Sequence, residues 1–214
     1  MKKLDQAIST KSVQLIYDFL GKRYDWFGGY ESRAKERSTE MLELFPGLKL
    51  LEVGVGTGKQ HTRLQAGLVP AGIAYGIDIS RVMLELTRQR SDALLCQADT
   101  HYLPFPTGSF DRLYASYVLD LMPRADLPGI LTEFRRVLKD GGRIALVALT
   151  EGVDIPSRGL VAAWKGLYKI SPITCAGCRP LQLSDLLEQA GCKQIHREVV
   201  VQLGMPSEII IACK

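Results

Sequence analysis

An acidic residue and three alternate glycines stand together after an apolar run, at Glu52, Gly54, Gly56 and Gly58. Glycine has no Cβ atom, so the chain can turn tightly at these positions and its backbone can lie against a ligand. A helical pattern begins at Lys59, and the free N–H groups at the start of a helix bind polar groups. We therefore expect this loop to bind a nucleotide-like ligand.

Three kinds of nucleotide-binding loop are alternatives here. A Walker A loop needs glycine at position 53 and serine or threonine at position 60, where the chain has Val53 and Gln60. A dinucleotide loop of the form GxGxxG, started at Gly54, needs glycine at position 59 and meets Lys59. The E/D-x-G-x-G-x-G loop of class I S-adenosylmethionine (SAM) methyltransferases is matched in full. The loop taken alone is also compatible with a glycine-rich turn that binds no ligand.

Three further signals follow the loop in the order that these methyltransferases have them. They are Asp78 at the end of a second strand, Asp99 just after a third, and the stretches 103–106 and 108–111 before a fourth. Over about residues 45–150 the chain therefore resembles the class I SAM methyltransferases. Tyr24-Asp25 and the stretch 105–111 are similar to the methyltransferase type 11 branch. That branch includes ubiquinone and menaquinone C-methyltransferases and bacterial phosphatidylethanolamine N-methyltransferases.

The resemblance implies SAM as cofactor, S-adenosylhomocysteine (SAH) as product, and a role for several residues. Asp78 is expected to accept hydrogen bonds from the ribose hydroxyls and Asp99 one from the adenine amino group, while Ile79 and Met83 flank the ring. Helix-terminal charge, a surface loop and core packing are the simpler explanations of these residues. The predicted cofactor site consists of Glu52, Gly54, Gly56, Thr57, Gly58, Asp78, Ile79, Met83, Asp99, Thr100 and Ser116.

The methyl acceptor is expected beside the segment that follows the fourth strand. Tyr24, Tyr117 and Asp120 are the predicted acceptor contacts, with ordinary packing as the alternative. Related quinone-ring enzymes often carry histidine near position 120, so its absence weakens a quinone as substrate. Methyl transfer from a sulfonium is an in-line displacement that depends mainly on positioning, and no catalytic base is assigned.

Two other functions are open on the sequence alone. One is a SAM-binding module without turnover, and the other is a dinucleotide-binding protein of the Rossmann type. The favoured function is methyl transfer to a small-molecule or lipid-like acceptor, such as a quinone or a phospholipid headgroup. The three histidines have no metal-site spacing, and Cys175-x-x-Cys178 lacks a second ligand pair, so we predict no metal and two unpaired cysteines. Cys96 and Cys213 are predicted to be buried.

Composition and charge indicate the general class of protein. A chain of 214 residues with 46% hydrophobic and 23% charged residues predicts one domain over residues 1–214 with a single core. A net charge of +4 is too small to indicate a nucleic-acid partner. Met1–Asp5 are not followed by a signal-peptide core, which favours a cytoplasmic protein, and peripheral membrane contact is left open. The oligomeric state is not predicted.

The spacing of apolar residues predicts the elements that carry these residues. Strand-like and helical runs alternate, which indicates a Rossmann-like, doubly wound α/β sheet that is mostly parallel, with helices on both faces and an antiparallel C-terminal strand. The predicted strands are 48–53, 72–77, 93–97, 110–116, 143–149, 192–203 and 208–213, the last two joined by a turn at Met205-Pro206. The predicted helices are 59–66, 81–90 with Ser80 as N-cap, 126–139 ended by 140–142, and 181–190.

Two segments lie outside this alternation. Residues 1–45 are predicted to form a helical lid, with a helix over 10–20, a loop over 24–30 and a charged helix over 31–44. Residues 150–180 are predicted to be an insertion over the substrate side, helical near 160–168. We expect both segments to cover the methyl group and to choose the acceptor, since loops around a rigid core commonly do so. The apolar residues of 13–20 suggest a hydrophobic acceptor or a membrane surface.

Overall fold

The structure of the protein, a computed structural model, describes residues 8–214, with residues 27, 28 and 185 described by their backbone alone. The start of the predicted lid, residues 1–7, lies outside the described residues. The strands are β1 (Lys49–Val53), β2 (Ile73–Asp78), β3 (Leu94–Gln97), β4 (Phe110–Ser116), β5 (Leu138–Leu149), β6 (Lys193–Gln202) and β7 (Met205–Cys213). The helices are α1 (Thr10–Leu20), α2 (Tyr24–Phe27), α3 (Ser32–Met41), α4 (Lys59–Ala66), α5 (Arg81–Arg88), α6 (Leu127–Val137), α7 (Ile155–Ile170) and α8 (Ser184–Gln189).

The seven strands form one sheet in the order β3-β2-β1-β4-β5-β7-β6. Strands β1 to β5 pair in parallel, and β7 runs antiparallel between β5 and β6. The order reverses between β1 and β4, and ligands of such sheets bind outside the carboxyl ends of the strands at this switch point. The predicted fold class is therefore confirmed.

Strand β1 lies at the centre of the core and is buried on both faces. Leu50 packs in one apolar cluster with Leu64 of α4, while Leu51 packs in a second cluster with Phe134 of α6 and Leu187 of α8. A continuous apolar run is what a parallel strand covered by helices on both sides requires. The glycine loop that follows β1 therefore begins at the end of a strand that is packed on both faces.

The segment 24–30, predicted as a loop, is helical instead. Helix α1 ends at Gly21, which has a φ of 46°, and short 3₁₀ turns at Gly21–Arg23 and Gly28–Glu31 flank α2. The ring of Tyr24 packs against that of Tyr17, with centroids 5.6 Å apart. Glycine and aromatic content alone suggested a loop, but packing of the aromatic rings favours helical turns.

The chain reversals near the C-terminus also differ from the prediction. Helix α6 ends at Val137 and β5 begins at once, so residues 140–142 lie within β5, where its register with β4 shifts. The turn between β6 and β7 falls at Leu203-Gly204, both with positive φ, and not at Met205-Pro206. Pro206 precedes the first pair between β7 and β5, so its missing N–H interrupts no bond on that side.

Several helix limits were predicted only in part. The insertion carries α7, longer than predicted because Asp154 and Ser157 form a capping box at its start, and α8 is shorter than predicted. The expected N-cap Ser80 is confirmed, since its hydroxyl accepts a bond from Met83 N–H. Among residues 8–214, none of the helices is long and apolar enough to cross a bilayer.

The cysteines divide differently from the prediction. Cys175 and Cys178 are free, as predicted, and both are buried. The prediction that Cys96 and Cys213 are buried is wrong, because Cys96 is exposed and Cys213 is half-buried. Cys96 belongs to β3, a strand at the edge of the sheet, which explains its exposure.

Candidate active site

A cavity of about 340 Å³ opens at the carboxyl ends of β1, β2 and β4, beneath the N-terminal helices. One part of its wall comes from the predicted cofactor residues Glu52, Gly54, Gly56, Thr57, Asp78, Ile79, Asp99, Thr100 and Ser116. Another part comes from Thr10, Val13, Tyr17, Tyr24, Glu31, Lys35, Tyr117, Leu121 and Met122. We call these the cofactor half and the acceptor half.

Three predicted site residues lie outside the cavity wall. Gly58 is the left-handed residue before α4, and a Cβ there would be 2.9 Å from the Cα of Thr87, so it serves close packing of α4 and α5. Met83 is fully buried in α5. Asp120 is fully buried behind the wall, while Leu121 and Met122 after it reach the cavity.

The glycine loop is shaped by backbone bonds to the neighbouring strand. The N–H groups of Gly54 and Val55 donate to the carbonyl oxygen of Ile77, at 2.8 and 3.1 Å. Gly54 has a φ of 74°, and a Cβ there would lie 2.3 Å from Cγ2 of Val118. Gly56 has a φ of 54°, and the space beside it is open. The loop therefore presents bare backbone to the cavity.

Asp78 projects into the cavity from the end of β2. Its Oδ2 accepts a hydrogen bond from Gly56 N–H and its Oδ1 one from Ser80 N–H, both at 2.9 Å. Burial raises the pKa of Asp78 to about 6, and these backbone bonds oppose the rise. A carboxylate has about four acceptor sites, so two remain for hydroxyl groups of a ligand.

Asp99 is held by His101, a histidine for which the sequence alone predicts no role in the site. Its Oδ1 lies 2.6 Å from Nδ1 of His101 and accepts the N–H of that residue at 3.0 Å, while His101 Nε2 lies 3.2 Å from Asp126 Oδ2. Burial lowers the pKa of His101, but the bonds to both carboxylates outweigh it and raise the pKa overall. The D-x-H spacing was visible in the sequence, whereas the approach of Asp126 was not.

Glu52 forms a buried pair with His61 under the loop. The distance between Glu52 Oε2 and His61 Nδ1 is 2.8 Å, and both side chains are almost wholly enclosed. Burial raises the pKa of Glu52, and His61 opposes the rise. This pairing fixes the orientation of the acidic residue of the motif, which lines the cavity.

An ionic cluster, which we call the latch, joins α2 to the cofactor loop. Asp25 accepts hydrogen bonds from Thr57 Oγ1 at 2.6 Å and from Arg90 Nη2 at 2.7 Å, with Lys59 Nζ 3.3 Å away. Burial raises the pKa of Asp25, but the bonds from Thr57 and Arg90 outweigh it, so the pKa lies below its ordinary value. Asp18 on α1 makes a second connection, because its Oδ1 accepts a bond from Ser80 Oγ at 2.5 Å.

The acceptor half is rich in tyrosine around one buried ion pair. Glu31 accepts bonds from Tyr24 OH at 3.1 Å and from Lys35 Nζ at 2.6 Å. Lys35 Nζ also lies 5.3 Å from the ring centre of Tyr117. Burial raises the pKa values of Tyr17, Tyr24 and Tyr117 well above the ordinary range, so these phenols stay neutral.

Asp120 and Tyr117 show how the segment after β4 is held. Tyr117 has a φ of 55°, and its hydroxyl shares a 2.6 Å hydrogen bond with Ser207 Oγ. Asp120 Oδ2 accepts a bond from Leu149 N–H at 3.4 Å, while burial raises its pKa to about 7. Its Oδ1 has no partner among the residues that the structure describes. Asp120 therefore supports the wall of the cavity from behind.

Comparison with known proteins finds similarity to methyltransferases. The family described as "Methyltransferase domain" matches residues 51–146. The chain is 28% identical over 172 residues to the malonyl-[acyl-carrier protein] O-methyltransferase of Erwinia pyrifoliae, covering 79% of this chain and 62% of that protein. It is 26% identical to the ubiquinone/menaquinone biosynthesis C-methyltransferase UbiE of Burkholderia vietnamiensis, covering 70% and 65%. The chain thus spans less than two thirds of the length of these relatives.

The fold also has solved counterparts. A SAM-dependent methyltransferase from Thermotoga maritima aligns with a TM-score of 0.71 at 19% identity, over 93% of this chain and 98% of that one. At this identity the likeness concerns the fold, and it agrees with the strand order and the switch-point cavity described above. The matched family and the two relatives are methyltransferases, and residues 51–146, which carry the glycine loop and Asp78, are the part of the chain that is similar to the methyltransferase domain family.

Proposed function

We propose that the protein transfers a methyl group from SAM to a hydrophobic small-molecule or lipid-like acceptor. The observation that carries this proposal is the continuity of the two halves of the cavity. Backbone of the glycine loop and Asp78 line one end, and Tyr17 and Tyr24 line the other, within one space of about 340 Å³. Such a volume lies within the range of about 300–1,000 Å³ for small-molecule sites.

The residues of the cofactor half fit SAM. The bare backbone at Gly54 and Gly56 forms a cradle, and a Cβ at Gly54 would overlap Val118, which also lines the cavity. Asp78 retains acceptor sites for two ribose hydroxyls, and Asp99, oriented by His101, can accept from the adenine amino group. SAM supplies, when bound, a methyl group on an activated sulfonium.

The acceptor half contributes position and shielding. The neutral tyrosine rings favour positive charge, since ring faces attract cations, while Glu31 is already paired with Lys35. Helices α1 to α3 cover the cavity and keep water from the reacting centre. Val13, Leu121 and Met122 make this half apolar, which supports a hydrophobic acceptor. Val13 and Tyr17 face the cavity, so some of the apolar residues of 13–20 lie where the acceptor is expected to bind.

The acceptor class is argued from this chemistry and from the matched relatives. One relative is named for a malonyl-acyl carrier and another for quinone biosynthesis, so the family context alone supports no single acceptor. A quinone ring fits the apolar residues of the acceptor half, and the amine of a phospholipid headgroup fits the faces of its tyrosine rings. The experiment is incubation of the protein with methyl-labelled SAM and cell extract, followed by separation of label into lipid, protein, nucleic acid and small molecules. Label in lipid or apolar small molecules supports the proposal, and its absence from every fraction favours a SAM-binding module.

Thermal unfolding separates SAM from dinucleotide cofactors. SAH at about a hundred times its Kd is expected to stabilise the protein by about 2.7 kcal/mol, which raises Tm by about 5–10 °C for a chain of this size. NAD at the same concentration is expected to leave Tm unchanged, because Lys59 stands where a dinucleotide loop has glycine. A rise with NAD and none with SAH or SAM would contradict the cofactor assignment.

We further propose that residues 10–31 form a lid that the latch holds closed. Asp25→Ala removes charge-assisted bonds of about 1.5–3 kcal/mol each, so it is expected to increase amide hydrogen exchange in α1 and α2 by at least about tenfold. Exchange in β1 and β4 is expected to stay unchanged. Asp140→Ala is the matched control, since that side chain is almost fully exposed. Equal exchange in wild type and Asp25→Ala would mean that the latch does not hold the lid.

A further inference from the structure

Helix α7 carries apolar residues both on its buried face and on the exposed side next to it. Val161 and Tyr168 are buried against the protein, and Trp164 between them is half-buried. Leu160 and Leu167 lie seven residues apart beside this buried face and are about 40% exposed. They form a partly exposed apolar row along the helix, next to the buried one.

Strongly exposed apolar residues lie at both ends of the helix and just beyond it. Ile155 is 86% exposed, Ile170 83% and Ile173 65%. Leu203, in the turn between β6 and β7, is also exposed, and a Cβ on the adjacent Gly204 would be 3.2 Å from Leu160. Contiguous exposed apolar residues on this scale mark an interaction surface. We call Ile155, Leu160, Leu167, Ile170, Ile173 and Leu203 the apolar stripe.

The charged side chains that α7 itself carries are all positive. Residues 155–184 contain no aspartate or glutamate, and Arg158 and Lys169 are exposed on α7. The two acids that precede the helix are engaged locally: Glu151 with Lys165 at 2.5 Å, and Asp154 in the capping box. The surface that covers the stripe must therefore be apolar and accept cations at its edge.

The stripe lies on a segment that contacts the wall of the acceptor half indirectly, since none of the residues 150–180 lines the cavity. Trp164 Nε1 donates a 2.9 Å hydrogen bond to the carbonyl oxygen of Cys178, so α7 is tied to the end of the insertion. A Cβ at Gly177 would be 2.7 Å from Ile8 and 3.5 Å from Leu121, which lines the cavity. A surface bound at α7 would thus be connected, through residues 177 and 178, to the wall of the acceptor half.

We propose that the apolar stripe of α7 docks the protein on an anionic phospholipid bilayer. Apolar side chains flanked by Arg158 and Lys169 match the acyl boundary and the charged headgroups of such a surface. A second copy of the chain is a poorer occupant, because a two-fold contact brings two copies of the same positively charged surface together. The docking deepens the proposed function by naming the surface that presents a lipid-like acceptor, and it rests on that function for this consequence alone.

The test is co-sedimentation with vesicles of phosphatidylglycerol and phosphatidylcholine, compared with pure phosphatidylcholine. Wild type is expected to bind the anionic vesicles at low salt, and more weakly at high salt. Leu167→Gln/Ile170→Gln and Arg158→Gln/Lys169→Gln are each expected to weaken binding by about tenfold or more. Phe19→Gln/Trp26→Gln is the matched control, because these residues are similarly exposed but lie on the N-terminal segment.

Several results would overturn the proposal. The stripe would be excluded as the docking surface if the wild-type protein does not bind anionic vesicles. It would also be excluded if the α7 variants bind as well as wild type. Loss of binding only in Phe19→Gln/Trp26→Gln would move the contact to the N-terminal segment. A concentration-dependent dimer in ultracentrifugation, lost in Leu167→Gln/Ile170→Gln, would make the occupant a second copy. SAH binding, measured on the same variants by calorimetry, tests the proposed function separately, since α7 is remote from the glycine loop.

Discussion

Gly54→Ala is expected to remove measurable SAM binding while the sheet remains folded. The residue has a φ of 74°, which costs an L-residue about 1–2 kcal/mol, and its new Cβ would lie 2.3 Å from Cγ2 of Val118. Relief of that overlap moves the loop or Val118, at a further cost of about 1–3 kcal/mol. Because Gly54 N–H also bonds to Ile77, a displaced loop no longer matches the cofactor. The affinity should fall by more than about thirtyfold.

A second substitution separates the overlap from the backbone strain. Gly54→Ala/Val118→Ala removes the methyl group that the new Cβ meets, so it should recover part of the lost affinity, whereas the positive φ remains. Gly159→Ala, in the middle of α7 with open space around it, is the matched control and should bind SAM normally. Calorimetry with SAM, on variants shown to be folded by circular dichroism, measures all three. Wild-type affinity in Gly54→Ala would refute the assigned cradle.

The glycine loop could be predicted because its chemistry is local. Three glycines with positive φ lie within five residues directly after β1, and Asp78 follows its own strand directly. The apolar runs predicted the strands for the same reason, since strands buried on both faces need uninterrupted apolar sequence. The order of strands, glycine loop and acidic residue along the sequence therefore predicted the fold and the residues that line the cofactor half.

The supporting contacts could not be predicted because they join distant parts of the chain. Asp25 meets Arg90 only after α2 folds over the cofactor loop, and His101 meets Asp126 across two connections. Asp120 was expected to reach the acceptor on its position after β4, yet its side chain turns toward Leu149. Spacing along the chain places a residue at the edge of a sheet, but packing decides which way the side chain points.

The binding of SAM should weaken as the pH falls below about 6. Asp78 has a pKa of about 6 in the free protein, raised from an ordinary value near 3.8. Its ionised form accepts hydrogen bonds from ribose hydroxyls, so the neutral form must lose a proton before SAM binds. The affinity is then expected to fall by about tenfold for each pH unit below 6 and to level off above it.

The stability of the free protein has the opposite dependence on the same group. Because the folded pKa lies above the unfolded one, the contribution of Asp78 to stability is complete below about pH 3.8 and is lost as the pH rises through about 6. SAM binding therefore gains strength over the interval in which the free fold loses stability. Opposite slopes for affinity and stability, measured on one sample, distinguish this group from a general acid unfolding of the protein.

Asp78→Asn isolates the titration. At pH 7.5 its affinity for SAM should fall by about one to two orders of magnitude, since charge-assisted bonds of about 1.5–3 kcal/mol are lost. Part of that loss is geometric, because one amide nitrogen must face the N–H of Gly56 or Ser80. The pH dependence is therefore the decisive quantity: in Asp78→Asn the slope between pH 5 and 6 should vanish. A slope equal to that of wild type would assign the titration to another group in the cavity, with His101 and Glu52 next to be substituted.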